Sequence, residues 1–394
     1  MVYTSFKLQT TTLNTKRKWS LVNSCLHIVN LFEATVSILT VASYFCSMIE
    51  HQEYMQRCLQ LAAKGQSSVA PNPMVGALIV NQGIIIGEGY HRAFGGPHAE
   101  VEAVNQVLNK GLIKGATVYV SLEPCAHFGK TPPCANLLIE HQVATLVVAC
   151  LDPNPLVSGK GIDLLKSAGV NVIIGVLEKE AVELNKRFII YHQQKRPFVT
   201  LKWAQTSDGY AGRLADSGLS SKITDSYSDR LVHKLRSTEQ AILIGYNTAM
   251  IDNPSLTVRH WRGQNPIRII FDKENSLPKH LNIFNDGFQT IVFTFNPKQS
   301  TNNVSYVKLN KDYFLNQILD ELYKRNLQSL LVEGGPATLK LFIENNLWDE
   351  AHIFTSNTDW GEGVKAPVIN SSVEVFNEKL QNDYYQVLKP RFQR

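Results

Sequence analysis

Four residues in the first half of this chain have types and spacing that could do chemistry: His98, Glu100, Cys125 and Cys134. One imidazole and two thiolates give zinc the three protein ligands it takes in a catalytic site, with the fourth position left for water. A zinc ion held this way lowers the pKa of its water towards neutrality and creates a nucleophile. Glu100, two residues from a ligand, can take a proton from that water and pass it to a leaving amine, as general base and then general acid. Cys134 is expected at a helix N-terminus, where the dipole favours a thiolate. A purely structural zinc site wants a fourth protein ligand. His127, two residues past Cys125, could be it, but Glu100 and the Pro124-Cys125 turn then have no reason.

His-x-Glu followed by Pro-Cys-x-x-Cys is the sign of zinc nucleobase deaminases. Here eight residues separate Cys125 from Cys134, where the common spacing has two. Upstream, Asn72 lies in Ala70-Pro71-Asn72-Pro73-Met74-Val75-Gly76. It reads equally as an amide gripping a substrate from a fixed loop and as an ordinary Pro/Asn turn.

These residues need elements to position them. From Glu50, Met55, Cys58, Leu59 and Ala62 fall at helical spacing, and Lys64-Gly65 ends that helix. Residues 75–80 and 84–86, joined by Asn81-Gln82-Gly83, read as a hairpin. His98 opens a helix, residues 117–120 form a strand leading into Glu123-Pro124-Cys125, and Cys134 opens another helix. Strands are expected at 144–149 and 170–174, and a helix at 178–191. Pro197 restarts the chain. Strands are then expected at 198–203, 241–244, 267–271, 290–294, 329–332 and 350–355, with helices at 226–236, 313–324 and 338–345. Such alternation implies an α/β layered architecture, with the boundary between halves near residue 195.

The length of 394 residues suits two domains. A formal charge of +5 is small for this length; it does not argue for nucleic acid, and it suits a phosphorylated substrate. A deaminase acting on nucleic acid would want a basic, aromatic-rich face, and the first half has no dense Lys/Arg run. Six cysteines in so long a chain are no disulfide framework. Cys25, Cys46, Cys58 and Cys150 read as reduced thiols of a cytoplasmic protein. Lys16-Arg17-Lys18 before an apolar stretch resembles a signal peptide or membrane anchor, yet Asn23, His27, Asn30 and Glu33 are costly at bilayer depth. The expectation is an extension without fold over residues 1–47, with Met48 as the functional start and no membrane partner.

The motifs together resemble a family. Pro71-Asn72-Pro73 with Val75-Gly76, Pro97-His98-Ala99-Glu100, and Leu122-Glu123-Pro124-Cys125 through Thr131-Pro132-Pro133-Cys134 are similar to the deaminase half of the bifunctional deaminase–reductases of riboflavin biosynthesis. Asp152-Pro153-Asn154-Pro155 with Gly159 and Gly161 adds to the likeness. Cytidine and tRNA-adenosine deaminases keep the short cysteine spacing. The resemblance implies a small-molecule substrate, 2,5-diamino-6-(5-phosphoribosylamino)pyrimidin-4-one, and it inclines Asn72 towards substrate contact. It implies a cytidine-deaminase-like three-layer domain over residues 48–195 and a dihydrofolate-reductase-like domain over 196–394. The cofactors implied are zinc and NADPH, and the assembly expected is a homo-oligomer.

In the second half no Gly-x-Gly-x-x-Gly follows a strand, so a Rossmann site is not indicated. Glu333-Gly334-Gly335-Pro336 between a strand and a helix could bring backbone N–H groups to a phosphate, or could be a plain connector. The same family likeness runs through Lys202 to Gly209, Arg236 to Gly245, Asp252-Asn253-Pro254, Leu256 to Arg259 and Pro266-Ile267-Arg268 with Asp272. It implies that Ser220, Arg236, Leu256, Arg259 and Glu333 hold the substrate. Arg236 and Arg259 suit a phosphate because a guanidinium fork matches its oxygens. It also implies that Ala204, Thr248, Asp252, Gly335 and Pro336 line NADPH. No general acid stands out in this half. Lys222 stands where the family often has Trp; it could pair with a cofactor phosphate or be an exposed lysine. The likeness weakens after residue 355 and persists only as Asn357 to Gly363. A rival reading therefore keeps the deaminase and makes the second half a degenerate binding module.

Overall fold

A computed structural model describes residues 38–126, 132–154, 157–214 and 221–391, with side chains of its leading helix from Met48 onwards. The chain divides into two compact units, Met1–Gln66 with Met74–Asn185, and Ser67–Pro73 with Lys186–Arg394.

In the first unit, α1 (Ile38–Ala63) precedes the hairpin β1 (Gly76–Asn81) and β2 (Ile84–Tyr90). Gln82 and Gly83, both at positive φ (49 and 77°), close the hairpin as a two-residue turn of the kind that matches strand twist. Asn81, expected in the turn, instead pairs with Ile84. Then follow α2 (Ala99–Gln106), β3 (Thr117–Val120), α3 (Cys134–Glu140), β4 (Thr145–Val148), α4 (Lys160–Ser167), β5 (Asn171–Ile174) and α5 (Glu178–Leu184). The five strands form one sheet in the order β2-β1-β3-β4-β5. β1 pairs antiparallel with both β2 and β3, while β3, β4 and β5 are parallel. Gly89 positions the chemistry. A Cβ there would stand 2.3 Å from Ala99 O, so its absence lets α2, with Glu100 in its first turn, lie directly on β2.

The second unit contains α6 (Lys186–Gln194), β6 (Phe198–Gln205), β7 (Tyr210–Gly212), α7 (Ser226–Thr238), β8 (Ala241–Gly245), α8 (Tyr246–Asp252), β9 (Ile267–Phe271) and α9 (Asn282–Asn285). After these come β10 (Thr290–Thr294), β11 (Val304–Lys308), α10 (Phe314–Lys324), β12 (Ser329–Gly334), α11 (Pro336–Glu344), β13 (Glu350–Ser356), β14 (Val364–Lys365), β15 (Ser372–Lys379) and β16 (Asp383–Pro390). Nine strands form a sheet in the order β11-β10-β9-β8-β12-β6-β13-β16-β15, parallel except at β16 and β15. Its central strands are covered on both faces. Val199, Leu201, Leu243, Leu330 and Val332 belong to one apolar cluster, and Ile242, Ile244, Ile270 and Leu331 to another. That is why they read as continuous apolar runs with no alternation. A two-stranded piece, β7 with β14, lies apart.

Several expectations are corrected. The leading helix begins at Ile38, not Glu50. The helix expected over 178–191 is two helices separated by Asn185, whose side-chain amide exchanges two hydrogen bonds with the backbone of Met74 (2.8 and 2.9 Å). The strand expected to end at 332 continues to Gly334, and the helix after it starts at Pro336, whose fixed φ suits the first helical position. Among the described residues no helix is long and apolar enough to cross a membrane. The four cysteines whose side chains are described, Cys58, Cys125, Cys134 and Cys150, are free. Residues 1–37, and with them Cys25, lie outside the described residues.

Candidate active sites

In the first unit His98 caps α2, Cys125 follows β3 and Cys134 is the first residue of α3. One donor atom from each lies within 4.8 Å of the others, a group able to hold a metal ion. His98 Nδ1 stands 3.2 Å from Cys134 Sγ and 3.6 Å from Cys125 Sγ. The Cys134 backbone N–H donates to Cys125 Sγ at 3.4 Å, as a helix N-terminus does to an anion. The Cys125 thiol is held well below its ordinary value, chiefly by a hydrogen bond with the Cys134 side chain and then by His98. That shared hydrogen bond, with burial, holds the Cys134 thiol up. Glu100 is 3% exposed, and its Oε2 is buried without a hydrogen-bond partner. Burial pushes its carboxyl upward, and the neighbouring Cys125 adds to the push. Soft sulfur and nitrogen donors beside an orphaned carboxylate oxygen fit zinc with a water for Glu100 to address.

Glu123 is a site residue whose role the motif alone did not reveal. Its buried carboxylate accepts N–H groups from Asp152 (3.3 Å), Gly159 and Gly161 (both 3.0 Å). It ties Asp152 and the start of α4 to the strand end that presents Cys125. A Cβ on Gly161 would meet Pro124 O at 2.0 Å, so this contact closes around the cysteine turn. Asn72 lies in Ser67–Pro73, which groups with the second unit, and its backbone N–H donates to Val69 O at 2.9 Å. His127 and Thr131 lie outside the described residues.

In the second unit the adjacent parallel strands β8, β12 and β6 bring their carboxyl ends together, which is where open α/β sheets bind ligands. Ala204 sits on β6 and Glu333 on β12. Gly334 takes φ 143°, a conformation that favours glycine, and lets Gly335 cap α11. Thr248, on α8, faces this turn: a Cβ on Gly335 would stand 3.1 Å from Thr248 Oγ1. Thr248, Gly335 and Pro336 therefore meet at the α11 N-terminus, and Asp252 ends α8 at the surface.

Arg236 and Glu333 meet in a two-pronged ion pair, Nε to Oε1 and Nη2 to Oε2, both 2.7 Å. Most of the Arg236 fork is thus engaged by Glu333, and its Nη1 reaches Thr257 O at 3.4 Å. The exposed guanidinium beside it is that of Arg259, with Nη1 3.2 Å from Thr257 Oγ1. Leu256 is 2% exposed with its side chain in the core. Lys202, on β6, is a further half-buried cation here; burial lowers its pKa and the facing Glu333 opposes that. Lys222 Nζ pairs with Asp229 at 2.9 Å. Ser220 lies outside the described residues. The loop after β6 is pinned by Asp208, whose carboxylate accepts the N–H groups of Trp360 (3.1 Å) and Gly361 (2.7 Å). The weakly matching segment 357–363 therefore has a structural role beside this end of the sheet.

Residues 48–150 match the model of the cytidine and deoxycytidylate deaminase zinc-binding region. Residues 197–381 match that of the RibD C-terminal domain, so the likeness extends well past residue 355. The riboflavin biosynthesis protein RibD of Aquifex aeolicus is 42% identical over 342 residues, 84% of this chain and 95% of that protein. That of Escherichia coli is 36% identical over 324 residues, 78% and 87% of the two chains. The crystal structure of a diaminohydroxyphosphoribosylaminopyrimidine deaminase/5-amino-6-(5-phosphoribosylamino)uracil reductase from Thermotoga maritima superposes with a TM-score of 0.81 at 38% identity. It covers 87% of this chain and 99% of that one. Relatives that span both halves do not favour a degenerate second half. The chain belongs to the RibD family and is a bifunctional enzyme of riboflavin biosynthesis, a zinc-dependent deaminase joined to an NADPH-dependent reductase.

Proposed function

We propose that residues 48–195 remove the 2-amino group of 2,5-diamino-6-(5-phosphoribosylamino)pyrimidin-4-one as ammonia, and that residues 196–394 then reduce the ribosyl group of 5-amino-6-(5-phosphoribosylamino)uracil to a ribityl chain. The observation that carries the first step is the buried, unpartnered Glu100 oxygen beside the His98, Cys125 and Cys134 donors. Those three residues would hold a zinc ion, which when bound supplies Lewis-acid activation of water. Glu100 accepts a proton from that water at Oε2 and returns it to the amine as the carbon–nitrogen bond breaks. Asn72 contacts the pyrimidine.

In the second step NADPH supplies the hydride when bound. Ala204, Thr248, Asp252, Gly335 and Pro336 line the cofactor, with Lys222 in reach of a phosphate if it leaves Asp229. Arg259 meets the substrate phosphate, Glu333 is held by Arg236 to accept hydroxyl groups, and Ser220 and the Leu256 main chain complete the contacts. A cytoplasmic setting is supported by the free, buried thiols of Cys58 and Cys150, which lie outside the metal group. A homo-oligomer is supported by the edge strand β15, which exposes Val373 and Val375.

Glu100→Gln tests the first assignment. Ammonia release should fall by about a hundredfold or more while the protein keeps its zinc and still oxidises NADPH with the deaminated pyrimidine. Ammonia release at the natural rate would remove Glu100 from its role.

A further inference from the structure

Helix α7 presents His233 and Arg236 one turn apart on one face, and both reach the segment that carries Arg259. Arg236 Nη1 donates to Thr257 O at 3.4 Å. Two residues on, the Arg259 N–H donates to His233 Nδ1 at 3.0 Å. Between these two grips the Val258 N–H donates to Asn265 Oδ1 at 2.8 Å, across an exposed turn. The segment belongs to no helix or strand, so these side chains set its path.

We propose that His233 is a positioning residue for the reductase step, fixing the main chain of Arg259 and thereby the reach of its guanidinium, which rests on Arg259 being the phosphate contact assigned above. The N–H donor defines the ring's form: Nδ1 accepts, so the neutral ring carries its proton on Nε2. The surroundings maintain that form. His233 is 5% exposed, and burial first, then Arg236, Arg259 and His260, bring its pKa down to about 4, with Glu333 opposing. His260 packs edge-on against the ring, centroids 4.7 Å apart at 82°, so the residue after Arg259 is steered by the same imidazole. The Arg259 side chain is itself exposed, and where it can go depends on where its main chain is held.

The test uses the full-length enzyme with NADPH and 5-amino-6-(5-phosphoribosylamino)uracil. His233→Leu removes the acceptor and should raise the KM for the pyrimidine about five- to tenfold, leaving kcat and the KM for NADPH within about twofold. His233→Asn, whose Oδ1 stands where Nδ1 does, should restore the KM. In an Arg259→Ala background, His233→Leu should add nothing. If His233→Leu is insoluble, His233→Gln, with its acceptor one bond further out, should give the same raised KM. The proposal is overturned if Arg259→Ala raises the KM and the His233 substitutions do not. Equal loss in both KM values with no rescue by Asn would also overturn it, marking a merely structural residue. An Arg259→Ala enzyme with an unchanged KM would instead refute the phosphate assignment, and His233 would lose its proposed role with it.

Discussion

At Glu100, burial and an unpaired oxygen sit two residues from a metal donor, and nothing else in the first unit combines these properties among the described residues. The residue types of this site were legible in the sequence, because zinc chemistry restricts its ligands to a few side chains at close spacing. The second site was less so. Arg236 and Glu333 are 97 positions apart, and no local pattern says that one holds the other. Their pairing matters for stability: Glu333→Ala strands a largely buried guanidinium and should cost about 3–5 kcal/mol, read as a lower midpoint of thermal unfolding; an unchanged midpoint would make the pair dispensable. His233 gives a pH dependence. Its folded pKa of about 4 lies below the ordinary value of 6.5, so the unfolded chain binds more protons between these values. Stability from this residue is complete above pH 6.5 and is lost as pH falls towards 4. The midpoint of reductase heat inactivation should therefore drop between pH 7 and pH 5 by more in the natural chain than in His233→Asn; equal drops would contradict it.

At the scale of elements, apolar runs located the buried parallel strands correctly because both their faces are covered, which leaves no polar alternation to confuse the reading. The last two strands gave no such signal: β15 is largely exposed along its length, so its sequence carries no clear inward face. The break at Asn185 was also hidden, since it depends on an amide that bonds Met74, far away in sequence. The join that most affects chemistry is the one between β3 and α4. There Glu123 gathers three backbone N–H groups, and Gly161 leaves room for Pro124 O. Gly161→Ala forces that contact apart and should cost about 1–3 kcal/mol. It should lower both zinc content after dialysis and ammonia release, with reductase activity kept. Full zinc retention in this variant would mean that the loop does not brace the cysteine turn.

For the whole molecule, two units built on separate sheets carry separate chemistries, each legible from different signals. The first announced itself through ligand types and the long gap before Cys134. The second had no dinucleotide fingerprint and was recognisable mainly by family likeness, because its glycine turn and helix N-terminus recur in many connectors. The most direct test follows ammonia and NADPH together, with the diamino pyrimidine as the only substrate. Ammonia should appear first, followed by NADPH oxidation in equal amount. A chelator should stop both, and the deaminated pyrimidine should restore NADPH oxidation alone. NADPH oxidation that proceeds from the diamino compound without ammonia release, or neither signal with zinc present, would contradict a deamination that feeds a reduction on this chain.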